Sequence, residues 1–89
     1  MLERNLTVTN KLGLHARATA KLVQAVAPFR SQVTLAAKGR QVNAKSIMGV
    51  MLLAAGQGTA VTVRTDGEDE AACMEAIEAL FERRFDEEG

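Results

Sequence analysis

The sequence predicts an α+β fold in which helices cover one face of a sheet and water reaches the other. Three observations carry this. Apolar side chains alternate along the strand-like segments, so each has a single buried face. In the segments between and after them the apolar spacing switches to the helical period. The resulting order is strand, helix, strand, strand, short helix, strand, long helix (βαββαβα), with no repeat, linker or low-complexity stretch.

Leu6 and Val8 alternate with Asn5, Thr7 and Thr9 and predict the first strand. Asn10 to Gly13 reads as the loop that ends it. From Ala16 the period changes, and Thr19, Leu22, Val23, Val26 and Ala27 fall on one side of a helix. Pro28 disfavours helical geometry at Ala27, so the helix is expected to stop close by. Val33, Leu35 and Ala37 mark a second strand, Lys38-Gly39-Arg40 a tight turn, and Gln41 to Asn43 a short return strand. Ser46 is placed to cap a short helix from Ile47 to about Leu53, with Val50 and Leu53 inward and Gly56 and Gly58 ending it. Thr59 to Thr65 reads as a strand with Val61 and Val63 inward, followed by an Asp66-Gly67 turn. The last helix begins near Glu68 or Asp69, with Glu68 to Glu70 in its first turn and Arg83 and Arg84 in its last, both favoured by the helix dipole. Cys73, Met74, Ile77, Leu80 and Phe81 form its buried stripe, and Asp86 to Gly89 reads as a frayed tail.

A chain of 89 residues makes one domain, 1–89, with one modest core. With three Phe and neither Trp nor Tyr, that core is aliphatic. Eleven basic and eleven acidic side chains cancel, so the field that draws a protein to nucleic acid is missing. A lone Cys makes no internal disulfide, which suits a reducing, cytoplasmic setting. The first residues carry no apolar signal region, and the longest apolar run, Gly49 to Gly56, is far short of the ~20 residues that span a bilayer. A monomer with no nucleic-acid partner and no membrane insertion is expected.

The only histidine, His15, stands where a loop gives way to a helix, with Arg17 two residues on. Backbone N–H groups in a first helical turn lack internal partners and, with the dipole, form an anion site. A phosphoryl group on His15 would face the N–H groups of Ala16 and Arg17, and the Arg17 guanidinium suits phosphate oxygens. Imidazole attacks phosphorus as a neutral base, and the P–N bond formed stays ready for onward transfer. There is no second acid or base, no metal cluster and no nucleotide motif, so the pattern describes a carrier more than a complete enzyme, with no cofactor and no metal. By itself, His-x-Arg at a helix start also fits a surface histidine or a core one.

Gly13-Leu14-His15-Ala16-Arg17, preceded by Thr9-Asn10-Lys11-Leu12, resembles the active-site signature of the histidine-containing phosphocarrier (HPr) family, which includes a nitrogen-branch paralogue, NPr. Lys45-Ser46-Ile47-Met48-Gly49-Val50-Met51 resembles that family's regulatory serine motif at the expected distance, so the resemblance covers nearly the whole chain. It implies an open-faced β-sandwich, four antiparallel strands covered on one face by three helices. It also implies that His15 takes a phosphoryl group from enzyme I, which draws it from phosphoenolpyruvate, and passes it to a histidine of an enzyme IIA domain. Family members use the Nδ1 nitrogen, with the residue matching Arg17 as the phosphate-side cation. One departure is Ala18, where most members have Pro; alanine is a good helix former and leaves an N–H that proline lacks.

Ser46 as an N-cap is worth about 1 kcal/mol. The resemblance adds phosphorylation by HPr kinase/phosphorylase, and a phosphate at a helix start is locally well placed. Ile47, Met48, Met51 and Leu52 give the short helix more apolar surface than one core face needs, and Met adapts to differing partners. In the family this helix and the His helix form the docking face, which puts Thr19, Ala20, Lys21 and Gln24 at its edge. Two other classes compete: a regulatory module whose phosphorylation state selects partners, as in the nitrogen branch, and a small RNA-binding domain, disfavoured by charge and by the lack of strand aromatics.

Overall fold

The computed structural model describes residues 1–87. Its elements are β1 (Leu2–Thr7), α1 (Ala16–Val26), β2 (Gln32–Ala37), β3 (Arg40–Asn43), α2 (Ile47–Leu52), β4 (Ala60–Asp66) and α3 (Glu70–Glu82), followed by a 3-10 turn at Arg84–Asp86. The four strands form one antiparallel sheet in the order β1-β4-β2-β3. β4 and β2 lie in the middle, so their inward residues, Val61, Val63, Val33 and Leu35, are almost wholly buried. The helices supply the opposite wall through Leu22, Val26, Val50, Cys73, Met74, Ile77 and Leu80. The α+β open sandwich expected from the pattern and the resemblance is the fold.

β1 starts at Leu2 and stops at Thr7, earlier at both ends than alternation suggests. Its pairing with β4 runs from Leu2↔Thr65 to Thr7↔Ala60, and Val8, though fully buried, bonds instead to the Gly58-Thr59 turn. β4 is displaced by one residue from the expected Thr59 to Thr65. The hairpin between β2 and β3 turns on Lys38 and Gly39, at φ +53° and +76°, the left-handed pair that suits the strand twist.

Three helix expectations need correction. On α1, Ala18 is buried although the apolar stripe left it out, Ala27 is exposed beyond the last helical residue, and Val23 is half-buried. After α2, the first left-handed residue is Ala54 at φ +51°, ahead of Gly58 at φ +88° in the following turn, and side chains of the β2–β3 hairpin bond the carbonyls at the helix end. Lys38 donates to the Ala54 carbonyl at 2.9 Å and Arg40 to that of Leu52 at 3.0 Å. On α3, only Glu70 of the acidic trio lies in the first turn, and the last turn holds no basic residue, because the helix ends at Glu82 before Arg83 and Arg84. Asp69, the N-cap, turns away from its own helix. Its carboxylate accepts from the Arg30 and Ser31 backbone N–H groups and from the Ser31 hydroxyl. The hydroxyl and those N–H groups hold the Asp69 carboxyl below the usual carboxylate range.

The expected frayed tail is built in part. Arg84, Phe85 and Asp86 all take positive φ, between +53° and +58°, and Phe85 is buried against Phe81 with ring centroids 5.0 Å apart. Residues 88 and 89 of that expectation lie outside the described residues.

Candidate functional site

Gly13 sets the position of the only histidine. At φ +66° it lies so close to the loop after α2 that a Cβ there would sit 2.5 Å from the Ala55 carbonyl oxygen and 2.7 Å from Gly56 Cα. The next residue, Leu14, is buried and donates its N–H to that same Ala55 carbonyl at 2.8 Å. The chain thus reaches His15 already clamped to the exit of α2.

His15 is the N-cap of α1, extended at φ −74° and ψ −178°, and its side chain makes no cap bond. The first intrahelical bond runs from Thr19 N–H to the His15 carbonyl at 2.8 Å. The N–H groups of Ala16, Arg17 and Ala18 therefore have no partner within the helix or from its cap. The half-buried imidazole places Nδ1 3.0 Å from the Gly13 carbonyl oxygen. A carbonyl only accepts, so Nδ1 carries the proton there and Nε2 the lone pair of the neutral ring. Arg17 is exposed and makes no hydrogen bond or ion pair among the described residues. A shallow depression of about 660 Å³ opens between Leu12, His15, Ala16, Arg17, Asp86 and Glu87.

Ser46 occupies the equivalent position on α2, with the opposite outcome. Its hydroxyl accepts from the Gly49 N–H at 3.1 Å, so this helix start is capped by its own side chain. Beside it Ile47, Met48, Met51 and Leu52 stand exposed by 47%, 71%, 44% and 59%, an apolar patch of the kind that marks an interaction surface. Val50 and Leu53 of the same segment are buried, as their spacing requires.

Of the residues expected at the docking edge, Gln24 is exposed and Ala20 half-buried. Thr19 does not belong there. It is fully buried, and its hydroxyl donates to the Leu14 carbonyl at 3.1 Å, holding the loop before His15. Lys21 is half-buried and engaged, donating to the Phe85 carbonyl at 3.1 Å and lying 3.3 Å from the Asp86 carboxylate. Arg83, then Lys21, hold the Asp86 carboxyl below the usual carboxylate range.

The sequence places Asn10 and Leu12 only in the loop before the signature, without a role, and gives no sign that Asp86 and Glu87 lie beside it. Leu12 is 64% exposed on the loop and lines the depression. Asn10 is fully buried, donating to the Gly13 carbonyl at 2.7 Å and to the Glu87 carboxylate at 2.6 Å. Phe85, an aromatic in an otherwise charged tail, was the one signal that the tail is anchored. Cys73 is buried on α3, which pushes its thiol up and leaves it unreactive. Among the described residues no cluster of three metal-ligating side chains occurs, and no helix is long and apolar enough to cross a membrane.

The domain is an open α+β sandwich that presents one histidine at an uncapped helix start, beside an exposed arginine and an exposed apolar helix surface. The family model described as the PTS HPr component phosphorylation site matches residues 2–83. Among similar proteins, a phosphocarrier protein HPr of Xylella fastidiosa (strain Temecula1) is 69% identical over 88 residues, covering 99% of each chain. One from Cupriavidus necator is 60% identical over 87 residues, covering 98% of each. The crystal structure of HPr-C-His from Thermoanaerobacter tengcongensis superposes with a TM-score of 0.96 at 42% identity over the whole of both chains. The chain belongs to the HPr family, the phosphocarriers of the phosphotransferase system.

Proposed function

We propose that His15 is the residue that carries the phosphoryl group, received from the phosphohistidine of enzyme I and delivered to a histidine of an enzyme IIA domain. The observation that supports this most is the uncapped start of α1 at His15, with Arg17, which has no hydrogen bond or ion pair among the described residues, lining the same depression. In each transfer a P–N bond to the donor ring breaks as one to the acceptor ring forms, so the protein only has to orient the ring and neutralise the group's charge. A neutral ring attacks with the nitrogen that bears no proton. Attack by Nδ1 therefore requires its hydrogen bond to Gly13 to be released first.

The apolar α2 surface, with Gln24 and Ala20 beside it, is the docking face in this reading, and its Met side chains suit successive partners. Ser46 at its edge is the regulatory site for HPr kinase/phosphorylase. A phosphate there adds about −1.5 to −2 charge beside the apolar patch and opposes docking without unfolding the helix.

The test is to incubate the protein with phosphoenolpyruvate and enzyme I and look for an acid-labile, base-stable phosphate. His15→Ala is expected to take none; equal labelling of that variant overturns the reading. For Ser46, the kinase with ATP should leave an acid-stable phosphate that Ser46→Ala loses.

A further inference from the structure

The carboxylate of Glu87 and the amide of Asn10, 77 residues apart in sequence, meet at 2.6 Å in the loop that leads to the histidine. Both partners of the Asn10 amide, the Glu87 carboxylate and the Gly13 carbonyl, are acceptors, so its nitrogen faces them and both of its N–H groups are used. Its oxygen is buried with no hydrogen-bond partner among the described residues. A fully buried amide with half its capacity unmet is held by the other half, and a charged acceptor makes the stronger of such bonds. The Gly13 carbonyl is thereby fixed between two donors, Asn10 Nδ2 at 2.7 Å and His15 Nδ1 at 3.0 Å.

We infer that Asn10 and Glu87 are positioning residues for His15, forming a latch that keeps the ring proton on Nδ1 in the resting protein. Glu87 orients Asn10, Asn10 aims the Gly13 carbonyl, and the carbonyl selects the Nδ1–H tautomer. The tail is anchored for this task by the buried Phe85 ring and by the bonds of Lys21 to the Phe85 carbonyl and to Asp86. The consequence rests on the carrier reading: loading through Nδ1 has to open the latch, so the C-terminal turn restrains the unloaded state. The geometry does not rest on it.

The test compares ring-nitrogen chemical shifts of His15 by NMR in the wild type, Glu87→Ala, Glu87→Gln and Asp86→Ala, at a pH where the ring is neutral. Glu87→Ala is expected to raise the ratio of Nε2–H to Nδ1–H tautomer by roughly fivefold, the worth of one net hydrogen bond. Glu87→Gln, whose amide oxygen still accepts from Asn10, should restore most of the wild-type ratio. Asp86→Ala breaks the Lys21 and Arg83 contacts without touching Asn10, and should shift the ratio far less than Glu87→Ala, because the Phe85 ring and the Lys21 bond to its carbonyl still hold the tail. The inference is overturned if Glu87→Ala keeps the wild-type ratio, if Glu87→Gln behaves as Glu87→Ala, or if Asp86→Ala shifts the ratio as far as Glu87→Ala. Because the readout needs no phosphoryl donor, failure of His15 labelling would sink the carrier reading and leave the tautomer result standing.

Discussion

Two helices of this molecule begin alike and end their first turns differently. α1 and α2 each follow an extended N-cap residue, His15 at ψ −178° and Ser46 at ψ 116°. Ser46 turns its hydroxyl back to the Gly49 N–H and satisfies its own helix, while the imidazole of His15 turns to Gly13 and leaves three N–H groups of α1 to whatever arrives. The difference shows where stability was given up. A serine at position 15 would cap α1; the histidine makes no such bond, and the helix end stays open.

That comparison is broken most directly by His15→Ser. It is expected to abolish phosphoryl acceptance entirely and to raise unfolding stability by about 1 kcal/mol, through the missing cap. Urea unfolding and phosphoenolpyruvate-dependent labelling read the two halves; a serine variant no more stable than wild type would show that α1 needs no cap. Next, Arg17→Ala should slow transfer by roughly 10- to 100-fold, the worth of a charge-assisted hydrogen bond to phosphate, with little change in unfolding. A rate within twofold of wild type would remove Arg17 from the site.

Gly13→Ala attacks the clamp that places the histidine. Contact at 2.5 Å with a backbone oxygen and a positive φ of +66° together should cost about 2 kcal/mol or more. Chemical denaturation measures this, and a loss below half that figure would mean the 55–56 loop moves freely. Ser46→Ala should cost about 1 kcal/mol, whereas Ser46→Asp, an equally good cap, should hold stability and weaken docking. If Asp destabilises as much as Ala, capping is not what Ser46 contributes.

The smallest effect concerns an N-cap that serves another segment. Hydrogen bonds from Ser31 and Arg30 lower the Asp69 carboxyl in the folded protein, so the unfolded chain binds that proton more readily. The contribution is present above the ordinary carboxylate pKa and is lost as pH falls through the lowered one. Asp69→Asn should therefore flatten the acid limb of stability against pH, read by thermal melts from neutral to acid pH. An acid limb as steep as wild type would assign that loss to other carboxylates.

Much of the fold was legible because its signals are local. Period-2 alternation found the inward residues of β2 and β4, and the α3 stripe was identified in full. Loop-to-helix transition marked His15, and a serine before an apolar turn marked the α2 cap. Errors fell where a neighbour in space overrides a neighbour in sequence. Thr19 has a polar side chain that solvent would accept, but the Leu14 carbonyl takes its hydroxyl inside the core. Arg83 and Arg84 looked like a helix end until Phe85, drawn to Phe81, pulled the chain out of the helix first.

By itself the sequence determined the element order, the faces that each element buries, and the presence of one imidazole at a helix start beside an arginine. Those follow from side-chain spacing and backbone preference, which act over a few residues. Only the tertiary structure decided what surrounds that imidazole. The Ala55 carbonyl that fixes Leu14, the Lys21 contact with the tail, and the Glu87 carboxylate behind Asn10 all come from distant parts of the chain. Such contacts depend on how the packed elements bring loop and tail together, and no local period records that.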